Sequence, residues 1–218
     1  MRRLHREDLY AWSTFDETRN IDFNSILWVR SGKYGEPSNI AIDPLPLSAH
    51  DWQHLETLGG VATIITTNSD HVRDTAVLRA RTGARVFGPV EEKACFPVDC
   101  DGWLGAGDEP VQGLRVYSMS GSKTPGELAL LLEDKTLITG DLIRSHAGGR
   151  LDLLPPSKLT NPQMALKSIR DLLTIEALSA VLPGDGWPAF YDARRLLEEL
   201  ILRLSVNSQL GTLEKSSP

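Results

Sequence analysis

The chain has 218 residues, with 23 Lys and Arg against 29 Asp and Glu, which gives a formal net charge of −6. This acidic balance argues against a nucleic-acid-binding surface, which requires a basic face. The amino-terminal residues contain no apolar segment typical of a signal peptide, and no apolar run approaches the ~20 residues that a membrane span requires. We therefore expect a cytoplasmic protein that binds neither nucleic acid nor a membrane.

Apolar runs and turn residues predict strands that alternate with helices along the chain. The expected strands cover residues 25–30, 39–44, 62–65, 84–87, 114–118, 128–132, 136–139 and 180–182. The expected helices cover residues 48–58, 71–81, 161–175 and 191–204, and long loops are expected over 95–110 and 145–157. We see no linker, so the prediction is one domain over residues 1–218, of α/β class, with two packed sheets and helices outside.

Three polar turns each follow an apolar strand: the stretch from Thr66 to His71, the pair Gly140-Asp141 and the pair Gly184-Asp185. Ligands of α/β folds tend to bind where strands reach their carboxyl ends. Each aspartate of these turns also has a structural explanation on its own. Asp70 could cap a helix, Asp141 could close a strand, and Asp185 could belong to an ordinary Asp-Gly turn.

Together these turns resemble the metallo-β-lactamase superfamily over residues 24–204. The stretch 66–71 stands where that family has His-x-His-x-Asp-His. Residues 124–126, 139–141 and 183–186 are similar to its Thr-Pro-Gly, Thr-Gly-Asp and Pro-Gly-His-Gly segments, in the same order. The resemblance implies a four-layered αββα sandwich.

The resemblance also implies which residues occupy the family's two metal positions. The first position would hold Thr66, Asn68 and Lys123 in place of three histidines. Because these residues are poor ligands beside imidazole, we expect no metal there. The second position would have four candidate ligands, which are Asp70, His71, Asp141 and Asp185.

Three carboxylates gathered at one point repel each other, so a positive charge must compensate them. One candidate is a single divalent ion, with Zn, Mn, Fe or Mg as the possible metals. The other is the ammonium of Lys123, which would neutralise Asp141 and a neighbour without any metal. In that case Asn68 and Thr66 would hydrogen-bond the remaining oxygens.

The resemblance suggests a hydrolase of a small ester, thioester or lactone, with Asp70 and Lys123 as catalytic residues. Lys123 would stabilise a developing oxyanion in place of the missing cation. Arg144, His146 and Trp187 are candidate substrate-binding residues because they directly follow the site segments.

Two other interpretations remain open. The first is a metal-free module that binds a small anion through Lys123 and Arg144. The second is a nucleophilic enzyme using Ser69 or Ser122, although no histidine is obviously placed to activate either hydroxyl. The leucines of the last helix could also support a homodimer.

Overall fold

The computed structural model describes residues 1–213, with side chains described through Ser205. The end of the expected domain, residues 214–218, lies outside the described residues. Within the described part, the strands are β1 (Arg2–Arg3), β2 (Leu9–Asp16), β3 (Ile21–Trp28), β4 (Ile40–Ile42), β5 (Thr63–Ile65), β6 (Arg85–Pro89), β7 (Gly102–Leu104), β8 (Leu114–Ser118), β9 (Leu128–Leu132), β10 (Thr136–Thr139), β11 (Ile143–Ala147), β12 (Arg150–Leu153) and β13 (Ala180–Pro183). The α-helices are α1 (Ala49–Thr57), α2 (Thr75–Thr82), α3 (Pro162–Asp171) and α4 (Ala193–Leu213).

The strands form two large sheets. One sheet has the order β1-β2-β3-β4-β5-β6-β7, and the other has the order β13-β10-β9-β8. The hairpin β11-β12 forms a separate two-stranded sheet. Strands β4, β5 and β6 run parallel to one another, as do β10 and β13.

Strand β9 explains how the layers stack, because it is apolar on both faces. Leu128 and Leu130 pack with Ile26 and Ile42 of the first sheet, while the alternate residue Leu131 packs toward α3 and α4. On the far side of the first sheet, a third apolar cluster joins strands β3 to β6 to the helices α1 and α2. The order of layers is therefore helix, sheet, sheet, helix, and the expected αββα sandwich is confirmed.

The helices begin and end at residues typical of helix caps. Ser48 accepts a hydrogen bond from the Asp51 N–H at the start of α1. Asn161 accepts from two N–H groups at the start of α3, whose first residue is Pro162. Helix α2 ends at Gly83, whose φ of 70° is the left-handed conformation that glycine adopts without strain.

Several predicted boundaries were wrong. The helix expected over 71–81 begins at Thr75, since Asn68 instead caps a short 3₁₀ turn over Ser69–His71. The loop expected over 145–157 contains most of the hairpin β11-β12, and the loop expected over 95–110 contains β7.

The carboxyl-terminal helix α4 packs against the molecule with one face of the part whose side chains are described. Leu196, Leu197 and Leu200 are buried against α3, whereas Leu202 is exposed. The homodimer therefore stays a prediction. Among the described helices, none is long and apolar enough to cross a membrane.

Candidate functional site

The candidate site lies where four strands end. Asp43 follows β4, the Thr66–His71 stretch follows β5, Asp141 follows β10 and Asp185 follows β13. Because β4 pairs in parallel with β5 and β10 pairs in parallel with β13, the carboxyl ends of each pair meet at one edge of the sandwich.

At this edge, one imidazole and two carboxyl groups converge. Ligand atoms of His71, Asp141 and Asp185 all lie within 4.8 Å of one another, and all three side chains are buried. The fourth residue expected at the second position, Asp70, lies outside this group, with its side chain 55% exposed.

Lys123, which the resemblance assigns to the first position, forms ion pairs with two carboxylates of the site. Its Nζ atom lies 2.7 Å from Asp70 Oδ2 and 2.9 Å from Asp141 Oδ2. The amide of Asn68 donates to the same Asp141 oxygen at 3.0 Å. Desolvation alone would lower the pKa of Lys123, but the two carboxylates outweigh it and raise the pKa. The ammonium therefore keeps its charge.

Thr66 does not take the expected part in this cluster. Its hydroxyl donates to the backbone carbonyl of Phe87 at 3.3 Å, because the side chain is directed toward the neighbouring strand β6. The expectation that Thr66 hydrogen-bonds the clustered carboxylates is therefore wrong.

The imidazole of His71 is held between two carboxylates. Its Nδ1 lies 2.8 Å from Asp43 Oδ2, and its Nε2 lies 3.4 Å from Asp141 Oδ2. Burial and the nearby Arg73 would lower the pKa of His71, but Asp43 and Asp141 outweigh both and raise it to about 10. Gly184 permits this packing, since a Cβ there would come within 2.8 Å of the imidazole.

Asp43 orients the imidazole and was missed by the sequence analysis. Its carboxylate accepts hydrogen bonds from the Thr67 N–H and the Thr67 hydroxyl, both at 2.7 Å. Its φ of 49° is a left-handed conformation that aspartate tolerates better than most residues. The signal was available, because Asp43 follows an apolar strand, as at the three recognised turns.

Asp185 is held by arginines. Arg144 Nη2 donates to its Oδ2 at 2.9 Å, and Arg73 Nη2 lies 3.9 Å from its Oδ1. Oδ1 is buried and has no hydrogen-bond partner among the described residues. Burial, and then the charge of Asp141, raises the pKa of Asp185 against the opposing cations.

Arg73 joins both sheets beneath the site. Its Nη1 donates to the carbonyls of Asn24 at 2.6 Å and Asp43 at 3.1 Å, and its Nη2 donates to that of Gly184 at 3.5 Å. Its φ of 39° interrupts the helical path after His71. A positively charged residue inside an expected helix gave no sequence signal for this role.

A further buried acid, Glu127, lies behind Asp141. Glu127 accepts hydrogen bonds from the Ser122 hydroxyl at 2.5 Å and the Leu142 N–H at 2.8 Å. Burial, reinforced by Asp141, raises the pKa of Glu127 to about 8. The carboxyl is therefore mostly neutral at pH 7. The contact also occupies Ser122, one of the two hydroxyls considered as a nucleophile.

The charges of the site balance without a metal. Four carboxylates face four cationic groups when His71 is protonated. The carboxylates belong to Asp43, Asp70, Asp141 and Asp185, and the cationic groups to Lys123, His71, Arg73 and Arg144. Burial would raise the pKa of Asp141, but His71 and Lys123 hold it well below its usual range.

The two positions differ in how well they fit a metal ion. The residues assigned to the first position do not fit a metal, because the Lys123 ammonium has no acceptor and Thr66 and Asn68 are poor ligands beside imidazole. The second position offers one imidazole and two carboxyl groups, and Asp185 Oδ1 has no hydrogen-bond partner among the described residues. This donor set fits one divalent ion, which would have to displace the His71 proton.

A cavity of about 410 Å³ opens above these residues. It is lined by Arg19, Phe23, Leu45, Asp70, His71, Arg73, Lys123, Asp141, Arg144, Leu154, Lys158 and Asp185. Of the three candidate substrate-binding residues, the structure places Arg144 in this lining. His146 and Trp187 lie instead in a separate depression beside Phe15.

A family model described as the metallo-beta-lactamase superfamily matches residues 1–204. The chain belongs to the metallo-β-lactamase superfamily. This agrees with the resemblance found in the sequence. No curated protein matches the chain significantly.

Solved structures share the fold at low sequence identity. The DIM-1 metallo-β-lactamase superposes with a TM-score of 0.70 at 14% identity, covering 92% of this chain and 96% of that one. The mono-zinc form of FIM-1 from Pseudomonas aeruginosa gives 0.68 at 12%, covering 94% and 95%. ETHE1 from Myxococcus xanthus gives 0.58 at 21%, covering 90% of each chain. At these identities the likeness shows the fold alone.

Proposed function

We propose that this member of the superfamily hydrolyses a small ester, thioester or lactone with at most one divalent metal ion. The observation that carries this proposal is the placement of Lys123. Its ammonium bridges Asp70 and Asp141 beside the donor group of the second position, at a cavity large enough for a small molecule.

His71, Asp141 and Asp185 would hold the metal, which is Zn, Mn, Fe or Mg. A bound ion of this kind lowers the pKa of a coordinated water and so supplies a nucleophile near neutral pH. The donor group His71, Asp141 and Asp185 supports one such site and no more.

Lys123 supplies the positive charge that the first position lacks. We assign it the role of stabilising the oxyanion that develops on the substrate carbonyl. Asp70 holds the ammonium at 2.7 Å and so fixes its direction toward the cavity. We therefore assign Asp70 a catalytic role that acts through Lys123. Because its side chain is exposed, Asp70 is a weaker candidate for a metal ligand.

The charge balance favours a second candidate, a metal-free protein that binds a small anion. Every buried carboxylate of the site already faces a cation. A divalent ion would therefore have to overcome the repulsion of Lys123 and Arg144.

The two candidates are separated by metal content and turnover. Protein purified without a histidine tag is analysed for metals, titrated with Zn²⁺, Mn²⁺ and Mg²⁺ by calorimetry, and assayed with small esters, thioesters and lactones. The hydrolase predicts about one ion per chain and turnover that Asp141→Asn abolishes. A matched control is Asp152→Asn, which lies outside the cavity lining. The absence of both bound metal and turnover would support the anion-binding protein instead.

A further inference from the structure

Glu127 connects the two chain segments that carry Lys123 and Asp141. Its side chain is completely buried. One carboxyl oxygen, Oε2, accepts a hydrogen bond from the hydroxyl of Ser122, the residue before Lys123. The other oxygen, Oε1, accepts from the N–H of Leu142, the residue after Asp141, at 2.8 Å. One side chain therefore ties the neighbour of the ammonium to the neighbour of the carboxylate with which it pairs.

The two described partners of the Glu127 carboxyl are neutral donors, a hydroxyl and a backbone N–H. Burial, reinforced by Asp141, raises the pKa of Glu127 to about 8, so most of this carboxyl is protonated at pH 7. A protonated carboxyl has one free acceptor oxygen and one donor, as a glutamine amide does, and the Ser122 hydroxyl can donate or accept. The site therefore uses the length and shape of this side chain rather than its charge.

The turn before Asp141 is shaped to receive this carboxyl. A Cβ at Gly140 would come within 3.1 Å of Glu127 Cδ and within 2.9 Å of Thr67 Oγ1. The next residue along β9, Leu128, donates its N–H to the Thr67 carbonyl at 2.8 Å. Glu127 is thus packed where the ends of the two sheets meet, and a shorter side chain would leave one of its partners out of reach.

Lys123 depends on the position of its own backbone, because its ammonium lies at the end of a flexible four-carbon stem. The preceding residue, Ser122, is held from two sides. Its carbonyl accepts from the Thr160 N–H at 3.2 Å and the Thr160 hydroxyl at 2.7 Å, and its own hydroxyl donates to Glu127. The first contact leads to the loop before α3, and the second leads to the turn that carries Asp141. The contact with Glu127 therefore runs across the ion pair.

We propose that Glu127 is a positioning residue, which sets the separation of the Lys123 ammonium from Asp141 without touching the substrate. Lys123 Nζ lies 2.9 Å from Asp141 Oδ2 in the structure. A displacement of a catalytic group by about 1 Å can lower a rate on the order of a hundredfold. The effect on turnover rests on the proposed hydrolase, whereas the ion pair itself can be measured without a substrate.

The kinetic test compares two variants of Glu127 with 4-nitrophenyl acetate as substrate. Glu127→Gln keeps the length of the side chain and the hydrogen-bonding pattern of the neutral acid, so kcat should stay within about threefold of the original. Glu127→Asp keeps the acid but is one methylene shorter. It should lower kcat at least about tenfold and change KM less than about twofold, because the side chain does not touch the substrate.

The matched control is Ser168→Ala. The buried Ser168 hydroxyl donates to the Ser120 carbonyl at 3.2 Å, so this variant also loses a hydrogen bond to the segment before Lys123, but not one made by Glu127. It should leave kcat within about twofold, since one neutral hydrogen bond contributes modestly to stability. Equal losses of kcat in Ser168→Ala and Glu127→Asp would mean that any loosening of the segment is sufficient, and would overturn the proposal.

A labelling measurement needs no turnover. Cyanate carbamylates free amines, and peptide mass spectrometry compares Lys123 with Lys158, an exposed amine at the rim of the same cavity. Lys123 should react more slowly than Lys158 in the original protein, because two carboxylates hold its ammonium. Glu127→Asp should raise the ratio of the two rates about fivefold, and Glu127→Gln should leave it unchanged.

The two readouts separate this inference from the proposed function. A raised labelling ratio in Glu127→Asp supports the positioning role even if no ester is hydrolysed, in which case only the hydrolase proposal fails. An unchanged ratio overturns the positioning role and leaves the hydrolase standing. If Glu127→Asp does not fold, Ser122→Ala removes one of the two hydrogen bonds and should change the ratio in the same direction.

Discussion

The two metal positions of the superfamily differ in what this chain places there. The residue assigned to the first position, Lys123, carries a side-chain cation that pairs with Asp70 and Asp141. The second position keeps a donor group of His71, Asp141 and Asp185 and surrounds it with arginines. The charge at the first position comes from an ammonium, whereas the charge at the second comes from a proton on His71.

The two positions compensate their carboxylates in different ways. Clustered carboxylates require compensating charge, and a Lys ammonium supplies it without a ligand. The imidazole of the second position supplies its charge only while it is protonated. The two positions should therefore respond differently to pH and to mutation.

The largest effect is expected from pH, in protein freed of metal by a chelator. The folded pKa of His71 is about 10 and that of Glu127 is about 8, both raised above their unfolded values of 6.5 and 4.5. The folded state therefore binds more protons, and stability is lost as pH rises from about 4.5 to about 10. We expect the free energy of unfolding to fall by on the order of 5 kcal/mol across that range.

Urea unfolding at pH 5, 7 and 9 measures this loss. Glu127→Gln should flatten the part of the curve between pH 4.5 and 8, which belongs to that group. Below about pH 3.8 the sign reverses, since the pKa of Asp141 is lowered on folding. A stability that stays constant or rises between pH 5 and 9 would contradict a protonated His71.

The second largest effect is expected at Asp43, which supports the second position. Asp43→Ala removes the carboxylate beside His71 Nδ1, which keeps only the Thr67 hydroxyl at 3.1 Å, and it removes the acceptor of the Thr67 N–H. Removing one partner of a buried ion pair costs about 3–5 kcal/mol. Chemical denaturation measures the loss, with Asp22→Ala as the control in the neighbouring strand β3. A change below about 1 kcal/mol would show that Asp43 does not hold the imidazole.

Lys123→Met tests the first position directly. In this variant Asp141 keeps its contacts with His71 and Asn68 but loses its ion pair with the ammonium. We expect the free energy of unfolding to fall by about 3 kcal/mol, the low end of the range for a broken buried ion pair, because Lys123 is partly exposed. Lys158→Met, at the rim of the same cavity, should be nearly neutral. If added Zn²⁺ restores stability to Lys123→Met, the vacated space can hold an ion after all.

The smallest effect is expected at Asp70, on the exposed side of the same ammonium. Its side chain is 55% exposed, so Asp70→Asn should change the free energy of unfolding by about 0.5 kcal/mol at most. A double-mutant cycle with Lys123→Met measures the coupling. Equal losses for Asp70→Asn and Lys123→Met would mean that the ammonium pairs mainly with Asp70 and not with Asp141.

The sequence predicted the candidate ligands and Lys123 better than it predicted the buried residues that surround them. Asp141 and Asp185 were found because they follow apolar strands in a recognisable order, and Lys123 because it stands where the family has a ligand. Arg73 and Glu127 were missed because their neighbours in the cluster are distant in the chain. Nothing local distinguishes a buried arginine in an expected helix from a solvent-exposed one.

The layered fold could be predicted without coordinates, because the period of the apolar residues and the glycines and aspartates after the strands are local properties. That the first position lacks metal ligands stays a prediction. Only the tertiary structure decided how the charges pair, with Lys123 on Asp70 and Asp141, Asp43 on His71, and Arg144 on Asp185. The reason is that burial and distance between remote side chains set each pKa and each ion pair, and neither is encoded by spacing along the chain.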